Sequence, residues 1–495
     1  AASEALGEDL TAQDTAIHQS TTLSQNVFWS TTYSDLRTEN VVTYQPNASV
    51  TPIVTYGSTL TSCNTLSSMA STLQSEGYRV VAGINGDFFN FSTGLPIGLV
   101  VSNGELKSSD GGYYAIGFKS DGSAVMGQPA LKVSANLGYA GTDSSGYSTE
   151  VVRAIAGVNK ARISTGGIYL YTYDFNAKHT TGNTESGVDV LCNIVGGSLA
   201  IGGSLTLQVA SVAADTATAT AVGQNQVVLS ANSASNEYFT TALKNETVGN
   251  TITVSVSASD PQWNDVTYGI GALYLLVQNG AVLSDLPTGA SPRTAVGKKA
   301  DGTLVFYTID GRRSGYSIGA TMAQVAQRLV ELGCTSAMCL DGGGSTTLTV
   351  TEPDSTSAAT INKPSDGSER SVSNQIFLVA SNSATGVLDH FYVSADNPYV
   401  LAGSALKLSA SAVDTNYIPM SDQSYSLSAS SGTLSGATLT TPAAGGDVTV
   451  TASGGGTTGA TVVHAIKTPS SITVKTGSTA ITSLTAVPGS TVSLT

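Results

Sequence analysis

The stretch that decides the reading is Leu340-Asp341-Gly342-Gly343-Gly344-Ser345-Thr346-Thr347. Three consecutive glycines cost backbone entropy, so they suit a place where the main chain must approach something closely. Successive exposed N–H groups there form an anion-binding nest. Ser345 and Thr346 add hydroxyl donors, and Asp341 adds a carboxylate. Working outward, Ser336–Leu340 reads as a short apolar strand feeding the loop. Before it, Met322, Val325, Ala326, Leu329 and Val330 fall at helical spacing. Thr321 stands at the N-cap and Gly333 where a C′ glycine ends a helix.

The same grammar occurs earlier. Leu66, Met69, Ala70 and Leu73 form a helical face with Ser62 or Asn64 as the cap, and Gly77 closes it. An apolar strand, Tyr78–Ile84, runs into Asn85-Gly86-Asp87-Phe88-Phe89. In mixed α/β sheets, ligand groups gather beyond the carboxyl ends of strands. Asp87 and Asp341 are therefore expected to end neighbouring strands and to face one cleft. Other Asp-Gly pairs, at Asp121, Asp301 and Asp366, read as plain turns.

Charged residues make up 11% of the 495-residue chain, well under the usual quarter. With only 21 Lys and Arg, the arginines near the motifs carry weight: Arg293 in Arg293-Thr294-Ala295-Val296-Gly297, Arg312 in Asp310-Gly311-Arg312, and Arg370 in Glu369-Arg370-Ser371-Val372-Ser373-Asn374. A guanidinium suits bidentate contact with phosphate or carboxylate. Asp87, Asp310 and Asp341 supply carboxylates, and glycosidic cleavage ordinarily uses two. A Gly-Gly-Gly run alone is usually a flexible turn, and Asp310 alone would be a hairpin residue. Their co-occurrence is what points to a sugar–phosphate ligand.

The net charge of −14 repels polyanions, so nucleic acid is not an expected partner. No apolar run is long enough to cross a membrane as a helix. Ala1-Ala2-Ser3-Glu4 reads as a mature terminus left by signal cleavage. Cys63, Cys192, Cys334 and Cys339 are compatible with two disulfides or with four buried thiols. Neither their spacing nor the scattered His18, His179, His390 and His464 fits a metal site, and no metal or cofactor is expected.

The order of Asn85-Gly86-Asp87-Phe88-Phe89, Arg293-Thr294-Ala295-Val296-Gly297, Asp310-Gly311-Arg312, the Asp341 loop and Pro364-Ser365-Asp366-Gly367-Ser368-Glu369-Arg370-Ser371-Val372-Ser373-Asn374 resembles the phosphodiester glycosidase family. Asn159-x-x-Arg162 and Gly269-Ile270-Gly271 add weaker matches. Asn159-Lys160-Ala161-Arg162 departs by lacking the family's usual proline, and Cys339 stands where Asn is common. The resemblance spans about 360 residues. It implies removal of a sugar such as N-acetylglucosamine from a sugar-1-phosphodiester. Asp341, Asp87 and Asp310 would then be the catalytic residues. Asn85, Gly86, Arg293, Arg312, Gly342, Gly343, Gly344, Ser345, Arg370 and Asn374 would contact substrate, with Asp310 orienting an arginine.

The expected fold class is α+β. A 1–22 arm precedes a mixed-sheet catalytic domain with few helices over 23–382. An all-β immunoglobulin-like sandwich of the bacterial surface type follows at 386–466. A linker and the start of a further β module occupy 467–495. The Ser/Thr-rich, weakly charged composition suits a secreted or cell-surface setting, with a carbohydrate phosphodiester as partner. The alternative is a non-catalytic glycan-binding or surface-assembly protein on the same scaffold, which would need the arginines but not the carboxylates. A glycosidase indifferent to phosphate would need the reverse.

Overall fold

The computed structural model describes residues 2–495 and is mostly strand, with few helices. It contains two compact units. One comprises residues up to 384 together with 416–418; the other comprises 385–415 and 419–495.

The larger unit is built on an antiparallel eight-stranded sheet. Its order is Glu8–His18, Thr21–Ser30, Asp35–Tyr44, Leu304–Ile309, Arg293–Lys299, Cys334–Cys339, Tyr274–Gln278, Ala281–Val282. Residues 8–18, expected as a loose arm, are the edge strand of this sheet, paired along Thr21–Ser30. One face of the sheet carries Val42, Val296, Phe306 and Met338. These pack with Val81, Ile84, Leu348, Ile376 and Leu378 of a five-stranded sheet. That second sheet runs Ala359–Thr360, Leu348–Val350, Tyr78–Asn85, Asn374–Ser381, Thr51–Tyr56. A third sheet, centred on Val266–Ala272 and Tyr114–Lys119, adds Ile116, Phe118 and Ile270 to the same core.

Helices cover the outer faces. Helix α1 (Leu66–Ser75) buries Leu66, Met69, Ala70 and Leu73 against Val80, Phe377 and Val379. Its cap is Thr65, whose side chain accepts from the Ser68 amide. Helix α2 (Glu237–Lys244), with no counterpart in the sequence reading, lies against the strands Gly187–Gly197 and Gln226–Asn232. Helix α3 (Met322–Glu331) has a full capping box, Thr321 with Gln324, which satisfies two orphan amide donors at once. It buries Met322, Val325, Ala326 and Leu329 on the opposite face of the large sheet.

Between the third sheet's strands the chain makes an excursion into a closed seven-stranded barrel over 132–257. Its interior is aliphatic, including Leu137, Val158, Leu170, Val190, Leu207, Leu229 and Val254.

The smaller unit stacks a sheet containing Leu388–Ala395 and Ala405–Asp414 on one containing Gly446–Gly454 and Thr457–Ile466. Phe391, Val393, Leu408, Val448, Val450 and Val463 fill the space between. Past 466 the chain forms a small hairpin, Val474–Thr476 with Thr479–Ile481. Among the described residues, no helix is long and apolar enough to cross a membrane. The four cysteines are free thiols.

Candidate active site

Five strand ends meet at one place in the larger unit. The carboxyl ends of Tyr78–Asn85, Leu304–Ile309 and Cys334–Cys339 deliver Asp87, Asp310 and Asp341. The amino ends of Arg293–Lys299 and Asn374–Ser381 deliver Arg293 and Asn374. The strands leading to Asp87 and Asp341, expected to be neighbours, are not: they belong to two different sheets that pack on one core. Side-chain and backbone bonds stitch the two ends together. The Asp341 amide donates to the Gly86 carbonyl at 3.0 Å, and Asn85 Nδ2 donates to the Asp341 carbonyl at 2.7 Å. Asn85 Oδ1 accepts from the Thr294 hydroxyl at 2.8 Å and the Thr347 amide at 3.3 Å. Asn85 thus joins three segments.

Each glycine of the loop sits at a close approach, and Gly342 meets backbone. A Cβ on Gly342 would stand 2.6 Å from the Pro292 carbonyl oxygen. Gly343 has φ +62°, and a Cβ there would stand 3.2 Å from the Arg312 guanidinium. A Cβ on Gly344 would collide with Arg370 and Asp366. The loop is therefore a packed 3-10 turn, Gly343–Ser345, and not a flexible linker. Two of the amides expected to face a ligand are already engaged: Gly342 N–H by Asp341 Oδ1 and Gly343 N–H by the Pro292 carbonyl.

Asp341 Oδ2 is buried with no hydrogen-bond partner among the described residues. Burial pushes the Asp341 pKa up, opposed by the Ser345 hydroxyl, the Gly342 amide and the Arg370 charge. The other buried orphan here is Asn374 Nδ2, whose Oδ1 accepts from the Asp87 amide at 2.8 Å. Buried polar atoms are ordinarily paired, and these two lie on either side of Gly86, whose carbonyl accepts from the Asp341 amide.

Asp87 is packed between glycines. Its Oδ2 accepts from the Gly98 amide at 2.7 Å, and a Cβ on Gly271 would collide with the same oxygen. Burial drives its pKa up to about 7, opposed by the Gly98 amide and Lys160 and reinforced by Asp341. Lys160 donates to the carbonyls of Pro96, Ile97 and Gly98 at 3.2, 2.9 and 2.8 Å. Burial lowers its pKa to about 8. It braces the segment that binds Asp87, a role with no signal in its residue type or spacing.

The arginines divide. Arg312, exposed and with φ +59°, lies over Gly343. Arg370 pairs with Asp366 at 2.9 Å, reaches the Ser345 hydroxyl at 3.4 Å and stacks on Phe91 with its guanidinium carbon 5.2 Å from the ring centre. Asp366, read as a turn residue, is thus part of the site. Arg293 turns inward instead, donating to the Ala320 and Gly289 carbonyls at 3.0 and 2.7 Å. Asp310 does not orient an arginine. Its oxygens accept from Asn362 Nδ2, the Tyr316 hydroxyl and the Lys363 amide, at 2.9, 2.7 and 2.9 Å. With both oxygens engaged, it fixes the loop that presents Arg312. Among the described residues, no group of three His, Cys, Asp or Glu side chains is placed to hold a metal ion.

Residues 205–379 match the phosphodiester glycosidase family. An 81-residue segment is 43% identical to the SPbeta prophage-derived uncharacterized protein YomE of Bacillus subtilis (strain 168), covering 16% of this chain and 12% of that protein. Two solved structures share the fold. A hypothetical protein from Synechocystis matches with a TM-score of 0.57 and 19% identity over 75% of this chain, which spans 64% of that one, less than two thirds. A putative exported protein of Burkholderia pseudomallei K96243 matches with a TM-score of 0.52 and 20% identity, covering 70% of this chain and 74% of its own.

Proposed function

Taking residues 205–379 as a member of the phosphodiester glycosidase family, we propose that this chain hydrolyses a glycosyl-1-phosphodiester at the anomeric carbon, on secreted or cell-surface glycans. The observation that carries the proposal is the buried, unbonded Asp341 Oδ2, set on a loop over which Arg312 and Arg370 lie. Two guanidiniums suit a phosphate. The immunoglobulin-like reading of the smaller unit belongs to the same proposal.

In this mechanism Arg312, Arg370 and the Ser345 hydroxyl hold the phosphate and stabilise the charge it gains. The bond from the anomeric carbon to the phosphate oxygen breaks, and the electron pair leaves with the phosphomonoester. A water oxygen ends on the anomeric carbon. Asp341 supports that carbon's developing positive charge, as direct nucleophile or by taking the water's proton. A phosphate with a second pKa of about 6 is a weak base, so it needs little protonation to leave. Asp87, poised near neutrality, is the second carboxylate, while Asp310 and Lys160 position the loops.

The test is sugar release from a synthetic N-acetylglucosamine-1-phosphodiester and a panel of its sugar analogues, comparing the native chain with Asp341→Asn. Release by the native chain that is lost in the folded variant supports the proposal. Arginine-dependent binding of the panel without release would favour the non-catalytic glycan binder.

A further inference from the structure

A pocket of about 750 Å³ opens beside this site, between the 90–97 segment and the loops at one rim of the barrel. It does not include Asp87 or Asp341 in its lining. The segment Pro96–Gly98 separates it from Asp87: the Gly98 amide binds that carboxylate, while Lys160 in the pocket wall binds the carbonyls of the same three residues.

The pocket's chemistry differs from that of the arginine loop. Its cations point elsewhere. Lys160 is spent on those carbonyls, and Arg162 donates to the Ser230 hydroxyl and the Glu185 carbonyl at 3.0 and 2.7 Å. Glu185 contributes a negative charge to the wall. A phosphate would find no free cation here. The lining offers apolar surface from Leu95, Ile97 and Phe175, together with the Tyr113 ring, which is 40% exposed. It also offers the hydroxyls of Ser164 and Thr184, which have no partner among the described residues. Apolar surface and unused hydroxyls in one lining, in a volume within the range of small-ligand sites, suit an uncharged ring with one apolar face and a polar edge.

We infer that this pocket is a second subsite that binds an uncharged sugar unit of the glycan, with Tyr113 as its stacking platform. The inference rests on the glycosidase reading for what the glycan is attached to. It implies a substrate longer than one sugar, with a neutral residue in the pocket and the phosphodiester at the arginine loop.

The test is saturation-transfer NMR on the full chain carrying Asp341→Asn, with neutral disaccharides of N-acetylglucosamine, glucose and galactose as probes. Transfer to at least one probe is expected. It should weaken about tenfold or more in Tyr113→Ala, as for loss of an aromatic anchor, and survive in Arg312→Ala. The exposed Ser164→Trp, which fills the pocket from its rim, keeps the test valid should Tyr113→Ala misfold. Absence of transfer to every probe, or transfer undiminished by both pocket variants, overturns the inference. Sugar binding without any phosphodiester cleavage by the native chain would leave the subsite standing and sink the glycosidase reading. Cleavage of a one-sugar substrate without disaccharide binding would do the opposite.

Discussion

Asp87→Asn should flatten the pH dependence of stability of the larger unit. In the fold, burial holds this carboxyl near 7, against an ordinary value of 3.8. Between those values the native state keeps a proton that the unfolded state has lost. Stability therefore falls as pH rises through that window and levels off above 7. A gap of about three pH units corresponds to about 4 kcal/mol in full, of which about 2–3 kcal/mol is lost between pH 5 and 8. Lys160 works in the opposite sense at higher pH. Its pKa is depressed to about 8, so its contribution recovers stability only above that. Asparagine keeps an oxygen to accept from the Gly98 amide and carries no charge to desolvate. Both tryptophans, Trp29 and Trp263, lie in the larger unit, so tryptophan fluorescence during denaturant unfolding reports that unit alone. The native chain should lose about 2–3 kcal/mol more than Asp87→Asn between pH 5 and 8. Parallel stability curves for the two proteins would refute the claim that Asp87 is desolvated and proton-bearing.

Three further outcomes follow from the geometry. Arg312→Ala should raise KM for a phosphodiester about tenfold or more while leaving the unfolding midpoint unchanged, because this exposed side chain has no hydrogen-bond or ion-pair partner among the described residues; steady-state kinetics beside a denaturation curve checks both. Gly344→Ala should displace the Arg370–Asp366 pair, raising KM and abolishing any salt sensitivity that depends on Arg370. A kinetic series in increasing salt would show it, and wild-type behaviour would contradict the packing of that loop. Asn85→Ala should cost about 2–3 kcal/mol, since it removes the acceptor of the buried Thr347 amide and the side-chain donor to the Asp341 carbonyl; chemical denaturation measures this, and a loss below about 0.5 kcal/mol would speak against Asn85 as the joint.

Helices α1 and α3 and the residues beside the glycines were legible because their causes are local. The Leu66 and Met322 faces follow helical spacing, and both N-terminal caps lie within one turn of the first buried residue. The cap of the first helix fell on Thr65, one residue past the nearer of the two the spacing suggested. Residues 8–18 were hidden by chemistry of the edge. Bulges between Asp9 and Thr11 and between Ala16 and His18 break the alternation that marks a strand. The barrel was invisible because its closure is long-range, with Lys132–Thr142 pairing both Ser148–Val158 and Thr251–Ser257. At the site, carboxylates and arginines were identifiable by type, but their partners were not. Only the folded loops reveal that Arg293 is spent on carbonyls, that Asp310 is saturated by Asn362, Tyr316 and Lys363, and that Lys160 and Asp366 join the arrangement.

The central claim is cleavage at the anomeric carbon, assisted by Asp341, with the phosphate held as a leaving group. Hydrolysis of a glycosyl-1-phosphodiester in ¹⁸O-labelled water, followed by mass spectrometry of both products, tests it most directly. The account predicts the label in the released sugar, an unlabelled phosphomonoester, and neither product from folded Asp341→Asn. Label in the phosphomonoester would mean attack at phosphorus, and the assignment of Asp341 to the sugar carbon would fall with it.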